Sequence, residues 1–163
     1  RVKRKGGGGS ASTEYCGGLC LSVQHCNWIH KNVFLANGSE HKFSNDCLLY
    51  LASKDGFRNS AFHRKADLKG PTLTVVSTAD GHIFGGFATV PWSSGVTGRY
   101  LSDPGAYLFS LTNGKARLPV ILKQSTPGPE DAVFHDADLG PCFGRALGLQ
   151  LDIPAYSSSD FCG

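Results

Sequence analysis

The chain has 163 residues, 40% apolar and 18% charged, which places it among soluble globular proteins and allows one domain with its own core. No apolar run approaches the roughly 18 residues that cross a bilayer. The formal charge of +3 argues little for nucleic acid: Arg1, Lys3, Arg4 and Lys5 carry four positive charges, and without them residues 6–163 stand at −1, leaving no basic stripe with interleaved aromatics.

Residues 1–13 join that basic pentapeptide to GGGGSAST and read as a disordered tail and flexible linker. The tail suits a weak nuclear signal, a phosphate-attracting arm, a dibasic processing site or a plain disordered end. The chain contains no Met and no secretory apolar stretch at its start, so it reads as a fragment or processed product. Six cysteines, at 16, 20, 26, 47, 142 and 162, make an even count compatible with disulfides. Without a secretion signal the balance favours reduced thiols in an intracellular, cytoplasmic protein. The sequon Asn37-Gly38-Ser39 counts only in the opposite case.

Residues 14–70 read as a helical segment and 71–163 as a β-sandwich, together one domain. In the stretch 14–37, Leu19, Val23, Cys26 and the pair Ile29-His30 recur at helical spacing. They predict an amphipathic helix whose start is delayed by Gly17-Gly18, with Trp28 as its docking anchor. Cys16, Cys20, Cys26 and His30 also fit a loose zinc-ligand spacing. Structural zinc sites use tighter cysteine pairs, and the same residues suit an apolar helix face, so no metal is expected. A short helix follows in CLLYLASKDGF, with Leu48, Leu49 and Leu51 inward, Ser44, Asn45 or Asp46 as cap and Asp55-Gly56 as its end. A second fits NSAFHRKADLKG, capped by Asn59 or Ser60 and ended by Gly70. There Phe57 and Phe62 face the core, while His63, Arg64 and Lys65 line a solvated face, His63 being kept as a candidate site residue.

The run 71–92 is the strongest local signal. Leu73, Val75 and Ser77 alternate with Thr74, Val76 and Thr78, the pattern breaks at Ala79-Asp80-Gly81, and it resumes through Ile83-Phe84-Gly85-Gly86-Phe87. Two β-rich runs around an Asp-Gly turn predict a hairpin. A Ser/Gly-rich loop comes after Trp92. Strands are then expected at 105–111, at 116–122 with Pro119 marking an edge or bulge, at 132–135 and at 144–153.

Taken together, LLYLASKDGF, FHRKADLKGPTLTVV, HIFGGFATVPWSS, DPGAYLFSL and GPCFG resemble the TLDc domain family, over residues 47–153. The resemblance implies an α+β fold, a two-sheet antiparallel β-sandwich flanked by short helices. Within it Gly85-Gly86 lets a large group approach the strand, Pro71 opens a strand, Trp92 plugs the space beneath the serine loop, and the turn 140–144 places Phe143 under the sheet. Family members usually end on a further strand with an acidic-apolar motif. This chain stops at Phe161-Cys162-Gly163, so that strand is expected beyond the fragment or from another chain. Ala106 stands where some members have an acidic residue.

Chemistry is sparse. There is no Gly-x-Ser-x-Gly elbow, no Gly-x-x-x-x-Gly-Lys and no His-Glu-x-x-His. Cys142 with His63 or His135 would need adjacency and an activated thiol to work as a pair. His135-Asp136-x-Asp138, and His82 beside Asp80, are candidate imidazole–carboxylate clusters that read more simply as acidic turns. No catalytic residue, cofactor or metal is expected. The resemblance implies a non-catalytic interaction domain linked to oxidative-stress protection and to binding the vacuolar proton-pumping ATPase. The alternatives are a structural part of a cytoskeletal or ciliary assembly, and a Cys/His enzyme. The expected partner-binding surface is the loop carrying Trp92, Ser93, Ser94, Arg99 and Tyr100, because loops on rigid scaffolds concentrate binding. A role as a simple cover for the open end of the sandwich explains that loop as well.

Overall fold

The structure, a computed structural model, describes residues 21–38, 47–96, 98–112, 118–122 and 129–144. The chain forms two compact units, one up to Phe43 and one from Ser44.

In the first unit Ser22 caps helix α1, Val23–Ile29. Its hydroxyl accepts from His25 N at 3.2 Å, and His25 Nδ1 accepts from Ser22 N at 3.4 Å. This is a capping box with histidine in the place of the usual Glu or Gln. The helix runs on through a π-helical turn, His30–Phe34, and a 3-10 turn, Leu35–Asn37. Gly38 closes it at φ 69°, a left-handed position that suits glycine. The expected inward stripe is shifted: Val23 is exposed, whereas Leu21, Ile29 and Val33 are buried. Trp28 is half-buried. Cys16 and Cys20 of the zinc alternative lie outside the described residues.

In the second unit residues 48–51 lie outside any helix, so the helix expected from Cys47 is reduced to one turn, α2, Ala52–Asp55. Leu48 and Leu49 are exposed rather than inward. The Asp55 carboxylate accepts the N–H of Leu51 at 2.9 Å and so starts the helix at Ala52. Helix α3, Asn59–Ala66, is capped by neither Asn59 nor Ser60; Arg58 occupies the cap without a side-chain bond. The Asn59 amide instead donates across the chain to the carbonyl of Asp138. The helix ends at Asp67, ahead of Gly70.

Two antiparallel sheets come next. Strands β1 (Thr72–Ser77), β2 (Ile83–Ala88), β4 (Tyr107–Thr112) and β5 (Val120–Leu122) form a four-stranded sheet in the order β1-β2-β4-β5. Strands β3 (Arg99–Leu101), β6 (Val133–His135) and β7 (Cys142–Phe143) form a three-stranded sheet in the order β3-β6-β7. The hairpin expected over 71–92 is present, with Thr72 opposite Ala88 and Ser77 opposite Ile83. Its turn is closed by Thr78 N donating to His82 O at 2.9 Å, and Gly81 takes φ 84°. Pro119 directly precedes β5, one of the two edge strands of the described sheet. The strand expected at 144–153 falls, after Gly144, outside the described residues.

The sheets meet face to face through one apolar cluster. Ala88 and Leu108 come from the first sheet, Val133 and Phe143 from the second, with Phe62, Ala66 and Trp92 alongside. Of the Gly85-Gly86 pair, it is Gly86 that makes the close approach possible. A β-carbon on Gly86 would stand 2.6 Å from Cε2 of Phe143, and one on Gly85 would stand 2.8 Å from Cζ of Phe109. The two glycines therefore face opposite sides of β2: Gly86 leaves space for the Phe143 ring of the other sheet, and Gly85 leaves space for the Thr74 carbonyl and the Phe109 ring within its own sheet. Replacing Gly86 with Val should lower unfolding stability by about 1–3 kcal/mol through overpacking. Urea denaturation measures it, and an unchanged midpoint would mean that Phe143 has room to move.

Candidate functional site

The hairpin leaves the sheet through Trp92, and the loop beyond it is built around that residue. Trp92 is 2% exposed. Its indole packs edge-on against Phe143 at 5.5 Å and Phe62 at 6.1 Å, and lies 5.5 Å from the His135 ring. A buried indole N–H needs an acceptor, and Thr72 Oγ1 supplies it at 2.9 Å. Trp92 is thus the plug its position suggests. It is not available as a partner-binding ring, because the surface that would touch a partner is already consumed by the core.

The loop leaving Trp92 is tied at three places. Trp92 O accepts the N–H of Leu68 at 2.9 Å, and the Asp67 carboxylate accepts Ser94 N at 2.7 Å and Ser94 Oγ at 2.6 Å. Further on, Gly98 N donates to Asp136 Oδ2 at 3.1 Å. Of the five residues expected to bind a partner, Ser94 and Arg99 are exposed and Ser93 is half-buried. Tyr100 is half-buried as well, and its ring lies tilted against that of its cross-strand neighbour Phe134 at 4.7 Å.

His63 does not line a solvated face; it is 7% exposed. Its Nδ1 lies 2.7 Å from Asp67 Oδ1, and its Nε2 lies 3.0 Å from Asp136 O and 2.8 Å from Leu139 O. Nε2 faces only carbonyl oxygens, which accept, so it donates and joins α3 to the turn after β6. Arg64 and Lys65 are exposed as expected. Burial alone would raise the Asp67 carboxyl, but bonds from Ser94 and His63 outweigh it and hold Asp67 below the usual carboxylate range.

His135 is the anomaly. It is 2% exposed, and neither ring nitrogen has a hydrogen-bond partner among the described residues. Burial holds its pKa below the ordinary histidine value; the nearby Asp67 charge opposes this shift and His63 reinforces it. Val133, His135 and Phe143 share one face of the smaller sheet, while Phe134 and its cross-strand neighbour Cys142 share the other. Cys142 and His135 therefore point to opposite sides. In the His135-Asp136-x-Asp138 run, the imidazole is turned into the core and Asp136 is used by the N–H groups of Gly98 and Asp138. His82 pairs with Asp80 at 3.1 Å at the hairpin turn. Among the described residues, no three His, Cys, Asp or Glu side chains converge as a metal site.

Sequence patterns do not single out Asp103. It is fully buried and accepts from Thr89 N at 2.7 Å, Val90 N at 3.1 Å, Gly105 N at 3.1 Å and the Thr89 hydroxyl. It thus fixes the path between β2 and Trp92. The Asp-Pro-Gly run at 103–105 signals a turn, and nothing local reveals its distant donors.

The TLDc domain family matches residues 22–160, nearly all of the chain, and the protein belongs to that family. No curated protein matches the chain.

His135 gives the fold a defined pH response. Its folded pKa lies below the unfolded value of about 6.5, so protons favour the unfolded chain, and stability present above that pH is lost as pH falls. Asp67 acts the same way at lower pH, beneath its ordinary value of 3.8. The melting temperature should hold above about pH 7 and fall by about pH 5. His135→Phe should flatten that part of the curve and leave the later acid loss; an equal slope in the variant would assign the titration elsewhere.

Proposed function

We propose that this domain is a non-catalytic interaction module that docks on the vacuolar proton-pumping ATPase from its cytoplasmic side, in the protection against oxidative stress associated with TLDc proteins. The observation that carries the reading is the double tether of the loop after Trp92, with Ser94 held by Asp67 and Gly98 held by Asp136. A loop fixed before binding loses little conformational freedom when a partner arrives. The polar groups beneath it serve the same end: His63 and Asp67 spend their hydrogen bonds on holding backbone and Ser94 in place. Ser94 and Arg99 are then the exposed groups offered to a partner.

A structural place in a larger cytoskeletal or ciliary assembly is the second reading. Leu118, just ahead of β5, and Val120 within it are exposed at an edge of the described sheet and favour it, since such an edge can accept a neighbouring strand.

The purified chain should pellet with pump-bearing membranes and not with pump-stripped ones, with a dissociation constant of about micromolar. Asp67→Ala, which unties Ser94, should weaken that binding about tenfold while the far-ultraviolet circular dichroism stays unchanged. Equal pelleting with both membranes, or none at tens of micromolar, overturns the proposal.

A further inference from the structure

Directly after α3 the backbone passes through a left-handed conformation at Leu68, φ 59°. Glycine and asparagine adopt this region readily, whereas a leucine is strained there. The strain is locked in: Leu68 N donates to Trp92 O at 2.9 Å, and Lys69 N donates to Ala66 O at 3.1 Å. Packing gives nothing back, because the Leu68 residue is 80% exposed. A single exposed leucine is ordinary on any protein surface. A leucine that is both exposed and held in a conformation other residues fit better is an outlier of the kind that gathers at binding sites.

Its surroundings are basic. Arg64, Lys65 and Lys69 are exposed and lie within four residues of it along the chain. Lys65 is matched by Asp55 at 3.4 Å. Among the described residues, neither Arg64 nor Lys69 forms an ion pair, and the Asp67 carboxylate is turned toward His63 and Ser94. We infer that Leu68, flanked by Arg64 and Lys69, is an anchor for an acidic face of the protein partner. The leucine enters an apolar pocket and the two cations meet carboxylates at its rim. The inference rests on the interaction-module reading and extends its surface, since Leu68 is bonded directly to the residue from which the tethered loop departs.

The test uses Leu68→Gly, which removes the apolar tip and relieves the backbone together, beside an Arg64→Glu/Lys69→Glu double variant. Melting temperature and co-sedimentation with pump-bearing membranes are both measured, with protein-free vesicles of the same lipids as control. Leu68→Gly should melt at or above the parent temperature yet bind about fivefold or more weakly. The double variant should bind more weakly still, and raising salt should weaken the parent more than the double variant. A melting temperature lower by more than about 3 °C would make Leu68 a packing residue and overturn the inference. Unchanged binding by Leu68→Gly overturns it while leaving the pump reading intact. Equal binding to protein-free vesicles reassigns the patch to a lipid surface and overturns it too. No binding by the parent chain removes the pump reading and this inference together.

Discussion

A buried tryptophan at a strand exit must satisfy its indole N–H, and Trp92 does so through Thr72 on the neighbouring strand. That bond decides where the hairpin ends and where the loop begins. The aromatic contacts of the same ring then define the core: Phe62 from α3, Phe143 from β7 and His135 from β6 all close on it. Helix and both sheets thus share one anchor. The loop beyond it inherits a fixed point of departure, reinforced where Leu68 N meets the Trp92 carbonyl.

The polar layer next to that anchor is organised by the same requirement. Buried hydrogen-bonding groups need partners, and His63 and Asp67 find theirs in the two chain segments that flank the candidate surface. Asp103 does the equivalent work upstream, where it gathers the N–H groups of Thr89, Val90 and Gly105. Each is a carboxylate or imidazole used to shape backbone rather than left open to solvent. His135 stands apart, with no partner among the described residues for either nitrogen, and it makes the region sensitive to protons without contributing a bond.

Local signals carry the hairpin and the strands expected near 105–111, 116–122 and 132–135, which stand as β4, β5 and β6. The alternation over 72–77, the Asp80-Gly81 turn and the paired glycines are all short-range features, and the register and the Phe143 contact agree with them. The two-sheet plan is implied by the family motifs rather than by any local pattern. His63 misleads because its neighbours Arg64 and Lys65 suggest a solvated face, while its true partners lie in the 136–139 turn. Leu48 and Leu49 look like a helix face, yet the bond from Leu51 N to Asp55 starts the helix after them. Trp92 reads both as a plug and as a partner contact; burial allows only the first. The strained leucine has no sequence signature at all, since only the backbone angle shows that a glycine position is occupied by Leu68.

The bonds from His63 to Asp136 and Leu139 span 73 and 76 residues of chain. Contacts of such long range form after local hairpins, because a large loop must close before they return any energy. The tether of Gly98 to Asp136 depends on the same late meeting of segments. A chain still emerging during synthesis, or one folded only as far as the β1–β2 hairpin, therefore carries the loop residues without the surface they make. On the proposed reading, a partner that grips this surface selects finished molecules and passes over partly assembled ones.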